Sequence, residues 1–442
     1  MNNTLIKDLP YDRDSAALLR RFAALPGLAF LDSGNGSGEN VRYDILSALP
    51  DVSITLQDGK VSIHTENATE ENLNDFAGDI FAAVDQALSR MAPAQPSLET
   101  LAALPFKGGA IGYFGYESVA EVGIYNWAIV VDHQQHHTTL FMLPNCSEAT
   151  RLRILTTLAS ETVTPQPFVL RENFRANFSA ASYKAAFDKV QDYIQAGDCY
   201  QVSLAQRFYA RYDGDPLSAY LQLRQKIHSP FAAYMQRSNG ALLSFSPERF
   251  ISVVDGKVTT QPIKGTRPRA ADSALDKALA EDLLNSSKDR AENLMIVDLL
   301  RNDLGTLCQT GSVKVEKLFE LQSFSNVHHL VSTINGTLGD EHSALSLLRN
   351  CFPGGSITGA PKKRAMEIIE EVEPDGRKVY CGAVAYVSFD GRMDTNITIR
   401  TILCEAPDVF CWGGGGIVAD SVWHQEYQEC YDKINNIINS LR

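Results

Sequence analysis

The sequence predicts a layered α+β fold: a large α/β sandwich with mostly antiparallel sheets. Three observations predict it. Short runs with period-two alternation are joined by hairpin signals such as Asp58-Gly59. Long segments with helical spacing lie among them, without a strict strand–helix alternation. The chain has 442 residues, 44% hydrophobic and 21% charged. A chain of that length buries about three quarters of its extended surface, so its core needs no staples.

The elements follow in order. Residues 51–57 and 60–64 alternate on either side of Asp58-Gly59 and form a hairpin. Residues 74–91 have helical spacing. Gly108 to Gly115 lacks the GxGxxG order and reads as a close-packed strand, because glycine lets backbones approach. Residues 124–132 and 138–143 are paired strands. Pro165, Pro167 and the polar stretch 171–177 mark a linker. Residues 182–196 form an amphipathic helix closed by Gly197. A strand over 199–209 and a helix over 217–227 follow, the latter ending before Ser229-Pro230. Strands at 241–246 and 249–254 lead through the turn Asp255-Gly256 into 257–263. Helices cover 276–285 and 288–300. Strands at 382–389, 396–404 and 409–412 precede a final helix over 421–441.

There are 53 acidic and 40 basic residues, a net charge of −13. This argues against nucleic acid or an anionic membrane surface as a partner. A small anionic substrate remains open, because local cations or a metal can reverse the field in one pocket. No run of 18 apolar residues predicts a membrane helix, and the first residues lack the apolar stretch of a signal peptide. Eight scattered cysteines form no CxxC pair, and His424 and Cys430 lack zinc spacing. The expectation is a cytoplasmic chain with reduced thiols.

Five constellations can carry chemistry. Lys264 follows an alternating strand between Ile263 and Gly265. Pointing inward, it loses solvation and becomes a free amine nucleophile. Pointing outward, it is an ordinary surface lysine. Gly265 would let a substrate approach the backbone, and Thr266 and Arg267 offer donors to a carboxylate. Glu292 shares a helical stripe with Met295, Ile296 and Leu299. A carboxylate on a buried face needs a partner or a metal; the alternative is a glutamate near a helix start. Glu426, Glu429 and Lys433 lie on one ridge of the last helix. The two carboxylates together with Glu292 can hold a hard cation such as Mg2+, or else the ridge is a solvated face salt-bridged by Glu429 and Lys433. Residues 354–361, with Ser356 and Thr358, and the run Gly413, Gly414, Gly415 and Gly416 offer N–H groups to anions or serve as tight connections. The first is not a phosphate-binding Walker loop, since Gly359-Ala360-Pro361-Lys362 replaces the GK[ST] ending.

These motifs occur together and in order. Asp198-Cys-Tyr-Gln-Val-Ser-Leu-Ala-Gln, Ser246-Pro-Glu-Arg-Phe and Pro262-Ile-Lys-Gly-Thr-Arg-Pro-Arg come first. Asp289-Arg-Ala-Glu-Asn-Leu-Met-Ile-Val-Asp, His328-His-Leu-Val-Ser and Gly354-Gly-Ser-Ile-Thr-Gly-Ala-Pro-Lys follow, then Ile399-Arg-Thr and Gly414-Gly-Gly-Ile-Val-Ala-Asp-Ser. With them the chain resembles the chorismate-utilising enzyme family, which includes anthranilate, isochorismate, salicylate and aminodeoxychorismate synthases. The resemblance covers most of residues 180–442; the N-terminal third matches more loosely. It implies the chorismate-utilising fold, with 171–442 as chorismate-binding core and 1–170 as a β-rich region.

Two positions select within the family. Lys264, in Pro-Ile-Lys-Gly-Thr, resembles the branch that aminates chorismate to 4-amino-4-deoxychorismate on the 4-aminobenzoate and folate route. Anthranilate-forming members usually carry alanine there. Gln201 stands where isochorismate- and salicylate-forming members place a lysine base. The resemblance implies Mg2+ bridged by Glu292 and Glu429 with Glu426 close by, Lys264 as nucleophile and Glu248 as general acid. It implies substrate contacts from Gly265, Thr266, Thr358, Tyr380, Arg400, Gly414, Gly415, Gly416 and Lys433. His329 matches a histidine near the ring, or is structural. A tryptophan pocket of Ser33, Arg42, Tyr43, Pro230 and Phe231 is implied, with ordinary packing as the alternative. No Cys-His-Glu amidotransferase signature is visible, so a separate glutamine amidotransferase should supply ammonia. One departure stands out: only five residues separate Glu117 from Gly123, where such members often have a longer segment. Two rivals remain, an anthranilate-forming subunit and a non-catalytic anion-binding subunit.

Overall fold

Asp58 and Gly59 take φ of 50° and 74°, the backbone of a two-residue hairpin turn. Val52–Gln57 accordingly pairs with Lys60–Thr65, as the alternation predicts. The computed structural model describes residues 4–34, 41–65, 79–324 and 327–442. Within them, two antiparallel sheets hold 13 and 11 strands. The first runs from Leu5–Leu9 through His137–Met142, Trp127–Asp132, Tyr43–Ser47 and Ala29–Asp32 to Phe231–Arg237. It continues through Gly240–Ser246, Thr401–Glu405 and Asp408–Ile417 to the long strand Gln201–Asp213. The second begins with Ile263–Pro268 and Val327–Thr337 and crosses Arg249–Val254 and Ala383–Ser388. It ends in Gly109–Phe114, Val119–Tyr125 and the first hairpin.

Both sheets therefore draw strands from both sides of residue 170. The largest apolar cluster does the same, joining Ile54, Ile111 and Ile124 to Leu242, Ile296 and Ile334. A second cluster covers the other face of the first sheet with Leu19, Trp127, Phe208, Tyr220 and Ile437. The linker prolines lead into two short strands, Val169–Leu170 and Arg175–Ala176, that pair with Gln201–Asp213.

Four expectations are corrected. Residues 124–132 are not one strand: the chain changes sheets at Asn126, whose amide donates to the Asp51 carboxylate at 3.0 Å. Residues 396–404 also divide, Met393–Asn396 lying in the second sheet and Thr401–Glu405 in the first. Arg400, with φ 50°, sits at that corner. The glycine run is strand, because Asp408–Ile417 pairs through Gly413–Gly416 with Gln206–Ser203. The final helix divides into Trp423–Asp432 and Asn435–Ser440. Its second part turns Ile437 and Ile438 into the second cluster, which one straight helix over the sheet would not reach.

The helix expected over 74–91 is Ile80–Met91, capped by the Asp79 carboxylate; residues 74–78 lie outside the described residues. No helix among the described residues is long and apolar enough to cross a membrane. All eight cysteines are buried and unpaired.

Candidate active site

Lys264 lies on Ile263–Pro268, which pairs with Val327–Thr337. The register slips between Lys264 and Thr266, where Gly265 takes φ 78°. Such a bulge re-aims the flanking side chains. Lys264 is half-buried, and its Nζ donates to the Ser356 carbonyl at 3.3 Å. Burial pulls its pKa down, against the charges of Glu292 and Glu248. Glu248 is buried and accepts from Ser356 Oγ at 3.1 Å. Burial pushes its pKa up, against Lys264 and the Ser356 hydrogen bond. Ser356 thus touches both groups, with its carbonyl on one and its hydroxyl on the other.

Gly265 has neighbours on its side-chain face. A Cβ there would lie 2.7 Å from Leu283 Cδ1 and 2.9 Å from Asp289 Cγ, so its bare side packs on two helices. Thr266 is exposed, and its hydroxyl meets His329 Nδ1 at 2.9 Å. His329 is buried, and burial with the Arg400 charge holds its pKa down to about 4. It is a neutral imidazole at physiological pH.

Glu292 stands on helix Ser287–Gly305, whose first turn is capped by Ser286. Glu426 and Glu429 stand on Trp423–Asp432 and converge above Gly415. A Cβ on Gly415 would lie 3.0 Å from Glu426 Oε2 and 3.2 Å from Glu429 Oε1. Glu426 accepts from Ser421 Oγ at 2.8 Å. Burial and the Glu429 charge push its pKa up. Burial would raise Glu429 too, but Lys433 at 2.6 Å holds it below its ordinary value. Burial likewise raises Glu292, opposed by Lys264 and Lys288 and reinforced by Asp289 and Glu429. Among the described residues, no three His, Cys, Asp or Glu side chains cluster closely enough to hold a metal ion together. Glu426 and Glu429 nevertheless converge, and carboxylate oxygens are the donors that a hard ion takes. Lys288 faces the acidic wall and was not predicted for it; its i,i+4 spacing to Glu292 is the available signal.

A cationic wall adjoins these carboxylates, with Lys433 paired to Glu429. Arg400 is half-buried; its carbonyl accepts from the Phe245 N–H at 3.1 Å, while its guanidinium has no hydrogen-bond or ion-pair partner among the described residues. Burial lowers its pKa, but a guanidinium keeps its charge. Tyr380 is buried and stacked on Trp412 with centroids 6.0 Å apart. Lys433 Nζ donates to the Gly414 carbonyl at 2.7 Å. Beyond Cys411 no described strand pairs with the free edge of Asp408–Ile417, so alternate N–H groups of the glycine run face the site. Thr358 is buried, and its hydroxyl proton goes to the Gly354 carbonyl at 3.0 Å, leaving only its lone pairs for a substrate. Gln201 lies flat on Gly416, fully buried, with neither amide atom bonded to protein.

The five residues expected around tryptophan do come together. Ser33, Arg42, Tyr43, Pro230 and Phe231 line a cavity of about 110 Å³ between the sheets, with Asn396. Arg42 stacks on Tyr43 at 4.5 Å and pairs with Asp132 at 2.9 Å.

A sequence model of the chorismate binding enzyme matches residues 45–439. Aminodeoxychorismate synthase component 1 of Escherichia coli (strain K12) is 45% identical in an alignment that covers 95% of this chain and 94% of that one. Anthranilate synthase component 1 of Pseudomonas aeruginosa is 34% identical over 93% of this chain and 90% of that one. Among solved structures, anthranilate synthase component I from Streptococcus pneumoniae superposes with a TM-score of 0.76 at 30% identity, over 91% of this chain and 93% of that one.

Proposed function

Since the chain belongs to the family of chorismate-binding enzymes, we propose that it aminates chorismate to 4-amino-4-deoxychorismate, retaining the enolpyruvyl group and releasing water. The observation that carries this reading is the triplet Lys264–Ser356–Glu248. An amine with a lowered pKa and a carboxyl with a raised one stand on the same serine. Lys264 bonds to ring C2, the diene shifts, and the C4 hydroxyl leaves as water with the proton of Glu248. Ammonia then bonds to C4, the electrons shift back, and Lys264 departs from C2. Glu248 takes the proton that the new ammonium gives up, and the net reaction is chorismate plus ammonia to product plus water.

In this reading Arg400 and the glycine run would hold substrate carboxylates, and neutral His329 would lie beside the ring. Glu426, Glu429 and Glu292 are the residues that would hold Mg2+, whose charge would stabilise the ring carboxylate. The name component 1 that these relatives carry supports a second subunit; we infer a glutamine amidotransferase that delivers ammonia. The product would feed 4-aminobenzoate and folate formation. The cavity at Arg42 and Tyr43 has the aromatic walls that suit tryptophan.

The test is a product assay by liquid chromatography with mass detection, using chorismate, Mg2+ and ammonium. An amino product with the enolpyruvyl group intact is expected. Anthranilate with pyruvate would place the chain with the other named relatives, and unchanged chorismate would refute catalysis.

A further inference from the structure

Arg377 is fully buried, and its guanidinium serves four acceptors in three elements. Nε and Nη2 grip the Glu373 carboxylate at 2.9 and 2.6 Å. Nη1 donates to the Ile357 carbonyl at 3.0 Å, and Nη2 to the Ser203 carbonyl at 2.8 Å. Glu373 in turn accepts from the Ala205 N–H at 2.8 Å. The plane of the guanidinium lies between two rings, Tyr116 at 4.9 Å and Tyr380 at 5.9 Å. Its own backbone N–H donates to Glu117 Oε1 at 2.9 Å.

Each of these contacts leads to the site. Ile357 follows Ser356, the residue that touches both Lys264 and Glu248. Ser203 and Ala205 pair with Gly416 and Gly414 of the glycine strand. Ser203 N–H also donates to the Thr358 carbonyl at 2.7 Å, closing the same loop. Tyr380 stacks on Trp412 of that strand. One planar cation therefore fixes the serine loop, the glycine strand and Tyr380 relative to one another.

We infer that Arg377, clamped by Glu373 and seated by Glu117, is the positioning residue that sets Ser356 between Lys264 and Glu248. The inference rests on the amination reading above, in which that pair reacts. Arg377 touches none of the reacting atoms. A lysine cannot replace it, because one ammonium cannot present the planar fork that reaches Glu373, Ile357 and Ser203 together.

The experiment compares Arg377→Lys and Glu373→Gln with the parent chain in the ammonium assay with Mg2+, after near-UV circular dichroism confirms the folded fraction. Per folded molecule, kcat should fall about 100-fold, since a misplacement near 1 Å has that effect. KM for chorismate should stay within about threefold, because Arg400 and the glycine run still bind it. The pH profile of kcat should shift as Ser356 loosens from the pair. A residue that only stabilised the fold would lower the melting temperature and leave kcat and the profile at parent values; that result overturns the inference. Where both variants fail to fold, Glu117→Ala decides, since it releases the Arg377 backbone and keeps the ion pair. A fall in kcat of about tenfold supports the inference, and a parent kcat overturns it. Lys264→Ala in the same assay separates the levels. If it is inactive while folded Arg377→Lys runs at the parent rate, only the positioning role is wrong. If Lys264→Ala runs at the parent rate, the amination reading fails and this inference with it.

Discussion

At the scale of residues, Lys264 and Glu248 form a coupled pair. Burial lowers the one and raises the other, and each opposes the shift of its neighbour. The reactive state holds the proton on Glu248 and none on Lys264. Acid protonates the amine and base strips the carboxyl, so kcat/KM at fixed free ammonia should be bell-shaped, with both limbs belonging to the pair. Glu248→Gln cannot lose a proton. Its residual activity, reduced about 100-fold or more, should rise with pH and level off, with the alkaline limb gone. An alkaline limb that persists would assign it to another group. Much of this pair was legible in the sequence, because a lysine after an alternating strand and a glutamate in a fixed motif are local signals. Ser356 was legible only as a loop hydroxyl, since its two contacts, Lys264 and Glu248, lie about a hundred residues away in sequence. Arg377, Glu373 and Glu117 were missed. The stretch Glu373-Pro-Asp-Gly-Arg377-Lys has the composition of a solvated turn, and only tertiary packing buries the Arg377 and Glu373 side chains among its four charged ones.

At the scale of elements, the glycines were found by sequence, but what packs against each was not. Gly265 lies between Leu283 and Asp289, and the glycine run is a flat strand on which Gln201, Glu426 and Glu429 rest. Composition cannot distinguish a glycine that admits ligand from one that admits a neighbouring helix. Gly265→Ala would strain a positive φ and push against Leu283 and Asp289. It should destabilise the protein by about 1–3 kcal/mol, read as a lower urea midpoint with an unchanged slope. Parent stability would mean that the bulge relaxes freely. The two strands read as continuous, 124–132 and 396–404, both turn out to switch sheets. Alternation persists through such a corner, so periodicity alone cannot reveal it. One of those corners carries Arg400, and the switch aims its guanidinium into the site.

At the scale of the whole molecule, neither sheet respects residue 170. Strand Phe231–Arg237 needs Ala29–Asp32 beside it, and Ala383–Ser388 needs Gly109–Phe114. A fragment of residues 171–442 would expose both edges and half of the largest apolar cluster. It should fail to give a cooperative melt, whereas the full chain gives one; a cooperative fragment would show a self-sufficient core. The sandwich class was legible from alternation and length. The shared sheets were not, because strand partners more than a hundred residues apart leave no local trace. The acidic wall, the cationic wall and the Lys264 pair all depend on these sheets facing each other. The most direct measurement is mass spectrometry of rapidly quenched enzyme incubated with chorismate and Mg2+ but no ammonia. The account predicts a peptide containing Lys264 that has gained chorismate less one water, absent in Lys264→Ala and discharged when ammonium is added. Parent-rate amination by Lys264→Ala, with no such adduct in the parent enzyme, would contradict it.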